Sequence, residues 1–454
     1  MKNTVIKNIK KSIISLPLAL ILVFGFIGCE IDNSINNSPN AINESKVKSL
    51  EGMNGLLISL QVATVDFYSG DRSRIASMWS RQMCAPEGLG RPQPVSWNSY
   101  QFQTDGFVDD MWKLGYRGVR IANDIINNAG EVNFSADNEK SRNTYFGMAK
   151  AYKAILLGEL AAFYGSIPIT FNGLEAAKFA TQSEAYAEVQ KLLSEALVHF
   201  QNPAAVSRDL NYGGDGAQWT KALHSLKARY YLHTMDYTNA QTEAEQGLAV
   251  GDAGLFGIYN DAAGEFSTWG HWALTEVGEP IRATNTFVRL LQSEAGDNRL
   301  ASYLKPNEDG NFIGFAYFDQ ANATPDELDI NKLSSLLKYG LYTDDFPLIS
   351  YNETLLILAE SQARNGQNAP AAANLNAIRK EAGLGDYAGT NLISEILNQK
   401  YLQLFLEGQV YTDMRRTNTK PDSNMPMRFI YPITEFNANP NVPVDNDNLV
   451  IWSK

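Results

Sequence analysis

Apolar side chains recur every three or four residues through long segments of this chain, which is the spacing that aligns them along one face of an α-helix. Such segments are 142–164, 184–200, 218–234, 237–250, 351–365, 368–382 and about 392–408. Ser183, directly before the second segment, is a residue type that caps helix N-termini. We therefore predict an all-α, mainly helical fold.

Two neighbouring pairs of these segments are joined by very short turns, at Met235-Asp236 and around Gly366. Small residues at regular points let two helices approach closely, and stacked hairpins then bury a continuous core. The positions that form this pattern are Ala228, Tyr231, Tyr237, Ala240, Ala244 and Gly247 in the first pair and Leu356, Ala359, Glu360, Ala363, Gly366, Ala371, Leu375 and Ile378 in the second. The pattern predicts tetratricopeptide-like helical hairpins.

Three long stretches between the helical segments are predicted to be irregular: 66–106, 251–287 and 303–347. They are rich in glycine, aromatic and polar residues. Loops of this length inside a compact domain usually carry function. No Pro/Gly/Ser-rich linker divides the chain after residue 45, so we predict a single domain over 46–454.

The first 28 residues have the features of a signal peptide. Lys2, Lys7, Lys10 and Lys11 precede an almost wholly apolar run over 12–27, which is too short for a comfortable transmembrane helix. The run ends at Gly28-Cys29, and small residues before a cysteine at this point resemble the lipobox of bacterial lipoproteins, whose cysteine is acylated. We expect lipidation of Cys29. The alternative is an ordinary secretory signal in which Cys29 is incidental.

The next residues predict a flexible tether, so that 29–45 comprises the lipidated cysteine and a polar linker. This stretch has too little apolar surface to offset its ordering entropy. Glu30 and Asp32 resemble the surface-export signal of Bacteroidota lipoproteins. More than one acyl chain anchors a protein stably, and no later segment approaches the length of a membrane span. We expect a lipid-anchored protein on the cell surface, at the outer membrane.

The charge balance argues against one class of partner. The chain has 38 basic and 50 acidic residues, and removal of the leader takes away four of the lysines. Such an acidic surface disfavours nucleic acid, whose phosphates require lysine and arginine. Cys84 has no disulfide partner if Cys29 is lipidated, and we expect it to be a buried small hydrophobe rather than a reactive thiol.

Several segments, in chain order, resemble motifs of the SusD/RagB family of outer-membrane nutrient-binding lipoproteins. Residues 163–169 read F-Y-G-S-I-P-I and resemble the family's Tyr-Gly-x-x-Pro turn. Residues 209–232 resemble a segment of the second, shorter SusD-like group through D-L-N-Y-G-G-D, Trp219, Ser225-Leu226-Lys227 and Arg229. Residues 353–384 resemble the family hairpin that ends in L-N-x-I-R-x-x-A-G-L.

Residues 399–416 (Q-K-Y-L-Q-L-F-L-E-G-Q-V-Y-T-D-M-R-R) also resemble the shorter group. Gln399, Gln403 and Val410 stand where the mainstream family has acids and an arginine. The matching C-terminal signature consists of Arg428, Tyr431-Pro432, Glu435 and Asn437.

This resemblance implies a tetratricopeptide-like scaffold with a loop-built ligand face. It also implies a non-enzymatic, cell-surface glycan-binding lipoprotein that captures an oligosaccharide. The implied partner is a SusC-like TonB-dependent outer-membrane transporter, on which this protein would act as a lid. Some relatives take peptides, so a peptide-binding capture protein of the same type is the alternative.

Known catalytic motifs are absent from the sequence: there is no G-x-S-x-G, H-E-x-x-H, P-loop or C-x-x-C. A surface glycoside hydrolase stays open as a further reading, because its carboxylate pair is defined by spacing in three dimensions. His199, His224, His233 and His271 lie far apart in sequence. Asp445-Asn446-Asp447-Asn448 resembles a calcium loop faintly but lacks the EF-hand glycine and glutamate. We expect no cofactor and no metal.

Sugar rings have apolar C–H faces that pack on flat aromatic side chains, while their hydroxyls bind amides and carboxylates. We therefore look for exposed loop aromatics beside polar residues. Two loop clusters qualify, and their candidate ligand-binding residues are Trp97, Asn98, Tyr100, Trp269 and Trp272. By contrast, we assign Trp112, Tyr116 and Trp219 to the core.

Charged residues near the end of the last predicted helix are expected to be structural. Glu407, Asp413, Arg415 and Arg416 lie at or just beyond its end, where basic residues complement the helix dipole and pair with the acids. The alternative is that the arginine pair binds a ligand carboxylate.

Overall fold

The structure is a computed structural model that describes residues 47–87, 92–101, 106–134, 137–171, 175–276 and 281–444. The predicted signal peptide, Cys29, the tether and the faint calcium-loop resemblance at 445–448 lie outside the described residues. Within the described ranges, no helix has both the length and the apolar character needed to span a membrane.

Helices make up most of the described chain, as the periodicity predicts. They are α1 (Leu50–Ser69), α2 (Asp71–Trp79), α3 (Pro92–Asn98), α4 (Phe107–Asn128), α5 (Asn138–Tyr164), α6 (Gln182–His199), α7 (Gly216–His233), α8 (Tyr237–Ala244), α9 (Thr268–His271), α10 (Asn285–Gln292), α11 (Arg299–Tyr303), α12 (Pro325–Leu328), α13 (Tyr351–Arg364), α14 (Asn368–Glu381), α15 (Leu392–Gln403), α16 (Gln409–Arg416) and α17 (Ile433–Ala438). A π-helical turn, Trp272–Glu276, continues α9.

The strands are short antiparallel pairs that fasten loops together. They are β1 (Met83–Cys84) with β5 (Arg282–Ala283), β2 (Ile167–Pro168) with β3 (Phe179–Ala180), β4 (Leu255–Gly257) with β8 (Phe346–Ile349), and β6 (Leu304–Lys305) with β7 (Ser335–Leu336). The β1–β5 pair aligns Met83 with Ala283 and Cys84 with Arg282. It therefore ties the stretch 66–106 to the stretch 251–287.

The predicted helical segments agree with α5, α6, α7, α13 and α14 to within a few residues. The cap of α6 differs from the prediction. Thr181, not Ser183, is the N-cap, and its hydroxyl accepts a hydrogen bond from the Glu184 N–H at 3.2 Å. Glu184 in turn accepts from the Thr181 N–H at 2.8 Å, which completes a capping box.

Two segments end earlier than their periodicity predicts. α8 ends at Ala244 rather than 250, and the chain turns at once to bring Gly247 against α7. α15 ends at Gln403 rather than 408, because Leu406 and Gly408 have left-handed φ values of 69° and 79° that an α-helix cannot continue. The apolar spacing continues through 404–406 only because those residues are buried in the core.

The two predicted hairpins are confirmed and pack against each other. α7 and α8 form the first and α13 and α14 the second, and α8 also lies against α13. The shared core consists of Ala228, Leu232, Ala240, Ala244 and Ile357. The second hairpin closes over Leu356, Ala359, Ala371, Leu375, Ile378 and Ile396. Small side chains at the crossing points thus allow the close approach that the sequence predicts.

Gly247 provides a test of this close packing. A Cβ atom at this position would lie 2.5 Å from Ser225 Oγ and 2.9 Å from Thr354 Cγ2. We expect Gly247→Ala to lower the free energy of unfolding by about 1–3 kcal/mol, the usual cost of overpacking. Gly55→Ala is the matched control, because nothing lies within 4 Å of its Cβ position in α1; alanine there is expected to add about 0.5–1 kcal/mol. Urea unfolding measures both, and equal effects would contradict the packing argument.

The prediction that 66–106 is irregular throughout is wrong, because this stretch contains α2 and α3. The periodicity of α2 is hidden by polar residues that are buried. Ser73 and Ser77 each donate to a carbonyl one turn earlier, at 3.0 Å and 2.7 Å. Arg72 pairs with the buried Glu159 of α5, with 3.0 Å between Nε and Oε2. A helix can therefore be part of the core without showing an apolar stripe.

The residues assigned to the core are buried, with one qualification. Trp219 is 0 % exposed and Trp112 is 4 % exposed, while Tyr116 is only partly buried and borders a groove described below. Cys84 is 0 % exposed, and burial raises the pKa of its thiol far above the ordinary value. The prediction that Cys84 is a buried small side chain is confirmed.

The charged residues of the 407–416 segment are buried among structural partners. Arg415 Nη1 donates to the carbonyl oxygens of Ala162 and Met427, both at 2.8 Å. Arg416 pairs with Glu360 of α13 and with Asp413. These contacts fit the predicted structural role, although the residues lie in a separate helix, α16, and Glu407 lies just before it.

His233 makes the stability of the fold sensitive to acid. Its ring is fully buried, and burial together with the charge of Arg229 holds its pKa well below the ordinary 6.5. Below about pH 6.5, His233 is therefore protonated in the unfolded chain but stays neutral in the folded protein. The free energy of unfolding decreases as pH falls through that range. We expect the stability advantage of wild type over His233→Gln to shrink between pH 6.5 and 5, by up to about 1.4 kcal/mol per pH unit. Parallel unfolding curves for the two proteins across this range would contradict it.

Candidate functional site

The structure buries the tryptophans that were predicted to bind ligand. Trp97 and Trp269 are each 1 % exposed, and Trp272 is 5 % exposed. The ring of Trp272 lies 6.4 Å from that of Trp97 and 5.7 Å from that of Trp269. The expectation that these side chains are exposed on loops is wrong. α3, α9 and the π-helical turn after α9 form in those stretches and direct the indoles inward. Trp269 Nε1, for example, donates to Ser73 Oγ at 3.0 Å.

Asn98 is buried as well and has a structural task. Its Oδ1 accepts from the Ala85 N–H at 3.1 Å, and its Nδ2 donates to the Ala85 carbonyl at 2.7 Å.

The cavity beside Trp269 and Trp272 is about 50 Å³, which is room for a few water molecules rather than a sugar chain. Ligand contact by Trp97, Asn98, Trp269 and Trp272 stays a prediction, and their burial disfavours it.

Tyr100, the fifth candidate, is only partly buried and belongs to a polar and aromatic surface. Its hydroxyl donates to Asp422 Oδ2 at 2.6 Å, and Arg81 Nη2 donates to the same oxygen at 2.5 Å. The Arg81 guanidinium carbon lies 4.7 Å from the ring centroid of Phe318, and the Tyr317 ring lies 4.9 Å from that of Phe318. We refer to Arg81, Tyr100, Tyr317, Phe318 and Asp422 as the Arg81 cluster.

Two members of the Arg81 cluster have an unusual backbone. Arg81 and Tyr100 both have φ values of 59°. Each lies just after a helix, and both helices end with the same pair of backbone hydrogen bonds. After α2, the N–H of Arg81 donates to the Met78 carbonyl and the N–H of Gln82 to the Ser77 carbonyl. After α3, the N–H of Tyr100 donates to the Trp97 carbonyl and the N–H of Gln101 to the Ser96 carbonyl. Glycine is the usual residue at this left-handed position.

A side chain at a left-handed position costs about 1–2 kcal/mol. Such costs are concentrated at functional sites, where the side chain is needed for another purpose. Here both strained residues direct a polar group at one carboxylate, that of Asp422. This coincidence identifies the Arg81 cluster as the candidate site.

The carboxylate of Asp422 is held in its ionised form. Desolvation alone would raise its pKa, but hydrogen bonds from Tyr100 and the Asn424 N–H, together with Arg81, lower the pKa below the ordinary value. Arg81 Nε is buried and has no hydrogen-bond partner among the described residues. The site therefore offers an ionised acceptor, a partly exposed cationic donor, and two partly exposed aromatic rings, Tyr317 and Phe318.

A groove of about 460 Å³ shares Arg81 with this cluster. Its lining combines apolar side chains with hydroxyl and amide groups, and it includes Arg81, Thr286, Leu290, Asn398, Tyr401, Met414, Thr417, Thr419 and Pro421. Tyr401 also contacts the cluster directly, because its hydroxyl donates to the Arg81 carbonyl at 3.0 Å. The groove can take an elongated, hydroxyl-rich molecule, and Arg81 connects it to the Arg81 cluster.

Sequence reasoning missed Arg81, Tyr317, Phe318 and Asp422 but located the stretches that supply most of the site. Arg81 and Tyr100 come from 66–106, and Tyr317 and Phe318 come from 303–347, two of the stretches predicted to be functional. Asp422 follows α16, and no sequence signal indicates it. Among the described residues, no three His, Cys, Asp or Glu side chains are grouped so as to hold a metal ion.

A second and larger groove, of about 900 Å³, lies along α4. Its walls include Trp112, Tyr116, Pro168, Phe171, Ala177, Glu435 and Asn439. It shares no residue with the Arg81 cluster.

Comparison with known proteins gives a consistent result. The SusD-like family described as starch-binding and associating with the outer membrane matches residues 90–432. No curated protein matches the sequence. Among solved structures, a SusD/RagB family protein from Bacteroides thetaiotaomicron has 19 % identity and a TM-score of 0.70, and the match covers 88 % of this chain and 98 % of that chain.

Two further solved structures share the fold. A laminarin-binding SusD-like protein has 16 % identity and a TM-score of 0.66, with 86 % of this chain and 98 % of that chain covered. A chitin-binding protein has 18 % identity and a TM-score of 0.64, with 87 % of this chain and 95 % of that chain covered.

Proposed function

Because this chain belongs to the SusD-like family of starch-binding proteins that associate with the outer membrane, we propose that it captures an oligosaccharide at the cell surface. In this proposal it delivers the oligosaccharide to a SusC-like TonB-dependent transporter. The Arg81 cluster and its groove form the capture site. The observation that carries the proposal is that two strained residues, Arg81 and Tyr100, both donate to Asp422 beside partly exposed aromatic rings.

The chemistry of the Arg81 cluster suits a sugar. The rings of Tyr317 and Phe318 supply faces against which the C–H side of a pyranose packs. Asp422 accepts hydrogen bonds from sugar hydroxyls, and the Arg81 guanidinium, on a side chain that is 26 % exposed, can donate to them. The groove polar groups, such as Asn398 and Thr417, would bind further sugar units.

The state of Asp422 favours binding over hydrolysis. A glycoside hydrolase needs a carboxyl group whose pKa is raised so that it can protonate the leaving oxygen. The pKa of Asp422 is lowered instead, and its Oδ2 already accepts two hydrogen bonds. It is therefore suited to be an acceptor and not a general acid.

The relatives support a glycan as the ligand class, since one solved structure of this fold is a laminarin-binding protein and another is a chitin-binding protein. Delivery to a transporter also uses the lipid anchor predicted at Cys29 and the tether predicted over residues 30–45. A flexible segment of this length has a root-mean-square span of about 20–24 Å. Such a tether would let the protein open and close over a barrel without leaving the membrane.

Ligand capture is tested by isothermal titration of the full-length lipoprotein in detergent with laminarin, chitin and starch oligosaccharides. We expect saturable binding of at least one series, with affinity that rises with chain length until the groove is filled. Incubation of the same samples should release no shorter products. Cleavage products, or binding of peptides in place of all three glycans, would contradict the proposal.

Delivery is tested separately by detergent extraction and affinity purification from the native membrane. We expect a large outer-membrane barrel to copurify. Recovery of this protein alone, under conditions that preserve known barrel complexes, would contradict the transporter partnership and leave the glycan site unaffected.

A further inference from the structure

The charged side chains that line the groove beside the Arg81 cluster are already paired. Those of the described lining are Arg81 and Asp413. Arg81 Nη2 lies 2.5 Å from Asp422 Oδ2. Asp413 lies 2.9 Å from Lys400 Nζ and 2.5 Å from Arg416 Nη2. A ligand in this groove therefore meets an arginine and a carboxylate whose charges are each balanced by a neighbour.

The cation next to the lining residue Leu290 is paired as well. Arg289 Nη2 lies 2.5 Å from Glu327 Oε2, and its Nη1 lies 3.5 Å from Asp319 Oδ2. Asp319 directly follows Phe318 of the Arg81 cluster. The guanidinium of Arg289 is thus shared between two carboxylates.

Two further charges lie close to the site, one of each sign. Burial, and to a smaller extent the charge of Glu87, raises the pKa of the Tyr317 hydroxyl. Lys420 is half-buried and has no ion pair within 4 Å among the described residues, but it is not part of the groove lining. The chain as a whole has 50 acidic and 38 basic residues, which disfavours anions at longer range.

A neutral sugar can use both members of the pair formed by Arg81 and Asp422. A hydroxyl group both donates and accepts hydrogen bonds, so sugar hydroxyls can donate to Asp422 and accept from Arg81.

An acidic sugar cannot use this pair in the same way. A uronate carboxylate or a sulfate ester only accepts hydrogen bonds, so it would compete with Asp422 for the one guanidinium of Arg81. Two negative groups would then lie side by side, which disfavours the ionised form of both. Transfer of the second anion out of water is unfavourable unless a cation without a partner receives it. The groove lining offers no such cation among its described residues.

We propose that Asp422 makes the capture site selective for neutral oligosaccharides and excludes those that carry carboxylate or sulfate groups. In this arrangement Arg81 donates to sugar hydroxyls, while Asp422 neutralises its charge and repels a second anion. The inference rests on the function proposed above and names the substrate class of that same site. Asp422 is therefore the residue that determines which glycans are captured.

Isothermal titration of the full-length lipoprotein in detergent tests this selectivity. Laminarihexaose, chitohexaose and maltohexaose are each compared with a form whose primary alcohols have been oxidised to carboxylates. In any series that binds, we expect the oxidised form to bind at least tenfold more weakly than the neutral form, because like charges placed side by side are strongly unfavourable. Equal or tighter binding of the oxidised form would overturn the selectivity and leave the proposed function standing. If no neutral form bound, the proposed function would be overturned and this inference with it.

Asp422→Asn tests the assigned residue. The substitution keeps an oxygen that accepts from the Tyr100 hydroxyl and removes the charge that neutralises Arg81. We expect the oxidised form to gain at least tenfold in affinity, so that the preference for the neutral form falls to threefold or less. Asp252→Asn is the matched control, because Asp252 lies 2.6 Å from Lys221 Nζ in a similar ion pair but is not part of the groove. An unchanged preference in the Asp422 variant, or an equal change in both variants, would overturn the assignment.

The salt dependence of the wild-type protein is a readout that needs no variant. Affinity for the oxidised form should rise at least threefold between about 20 mM and about 500 mM NaCl, since salt screens the repulsion, while affinity for the neutral form should change little. Affinity for the oxidised form that fell with salt would overturn the proposal, because an unpaired cation would then be binding the carboxylates.

Lys420→Ala tests the one cation near the groove that has no ion pair among the described residues. We expect the preference for the neutral form to stay within twofold of wild type, because Lys420 lies outside the groove lining. A larger change would assign the selectivity to Lys420 and overturn the role of Asp422.

Discussion

Replacing Glu360 by glutamine is expected to lower the free energy of unfolding by about 3–5 kcal/mol, the usual cost of removing one partner of a buried ion pair. Glu360 is 0 % exposed. Its two carboxylate oxygens accept from Arg416 Nη1 at 2.8 Å and from Arg416 Nη2 at 2.6 Å. Arg364 and Lys400 also reach this carboxylate, at 3.1 Å and 3.4 Å. The glutamine variant would leave three cations near a neutral amide in the core.

The control is an exposed ion pair of similar geometry. Lys332 Nζ lies 2.5 Å from Asp309 Oδ2, but the two side chains are 41 % and 55 % exposed. Asp309→Asn is expected to cost no more than about 1 kcal/mol, because water screens such pairs. Urea unfolding followed by circular dichroism measures both variants. If the Glu360 variant were no less stable than the Asp309 variant, Glu360 would not join α13 to α16 as the contacts indicate.

The loss should depend on pH in a defined direction. Burial alone would raise the pKa of Glu360, but the charges of Arg416 and Lys400 hold its pKa well below the ordinary 4.5. The stability that this carboxylate contributes is therefore present above about pH 4.5 and is lost as pH falls below it. We expect the difference between wild type and Glu360→Gln to shrink in acid.

The sequence predicts the helical scaffold well where burial is apolar. The stripe from Tyr145 to Phe163 predicts α5, and the small residues around Gly247 predict the α7–α8 hairpin. The prediction fails where the core is polar, since Arg72 and Ser73 hide α2. It also fails at 404–408. The helix α15 ends before these residues, because Leu406 and Gly408 have left-handed φ values. The apolar spacing nevertheless continues, because residues 404–406 are buried in the core.

The site is harder to predict because the sequence does not show which aromatic residues face water. Trp97 and Trp269 have the expected neighbours for sugar binding, yet short helices turn both indoles into the core. Asp422 joins the site only through tertiary contacts, since it lies more than 300 residues from Arg81 and Tyr100. The long irregular stretches were a better guide than any single aromatic residue, because they supply Arg81, Tyr100, Tyr317 and Phe318.

Replacing Arg81 by glycine is expected to weaken oligosaccharide binding at least tenfold while changing stability little. The guanidinium provides the charged donor of the site, and hydrogen bonds to charged groups contribute about 1.5–3 kcal/mol. The side chains of Arg81 and Asp422 are each 26 % exposed, so the loss of their ion pair lowers the free energy of unfolding by about 1 kcal/mol or less. Glycine at φ 59° relieves backbone strain of about 1–2 kcal/mol, which offsets that loss.

Met235→Gly is the matched control for backbone strain. Met235 has a φ of 61° and follows α7 with the same hydrogen bonds, from Met235 to Leu232 and from Asp236 to Tyr231, but it lies outside the Arg81 cluster. We expect this variant to be as stable as wild type or more stable, with unchanged affinity. Isothermal titration and thermal unfolding of both variants measure the two effects separately. Wild-type affinity in the Arg81 variant would remove Arg81 from the site, and an equal loss in both variants would mean that backbone strain, not the guanidinium, controls binding.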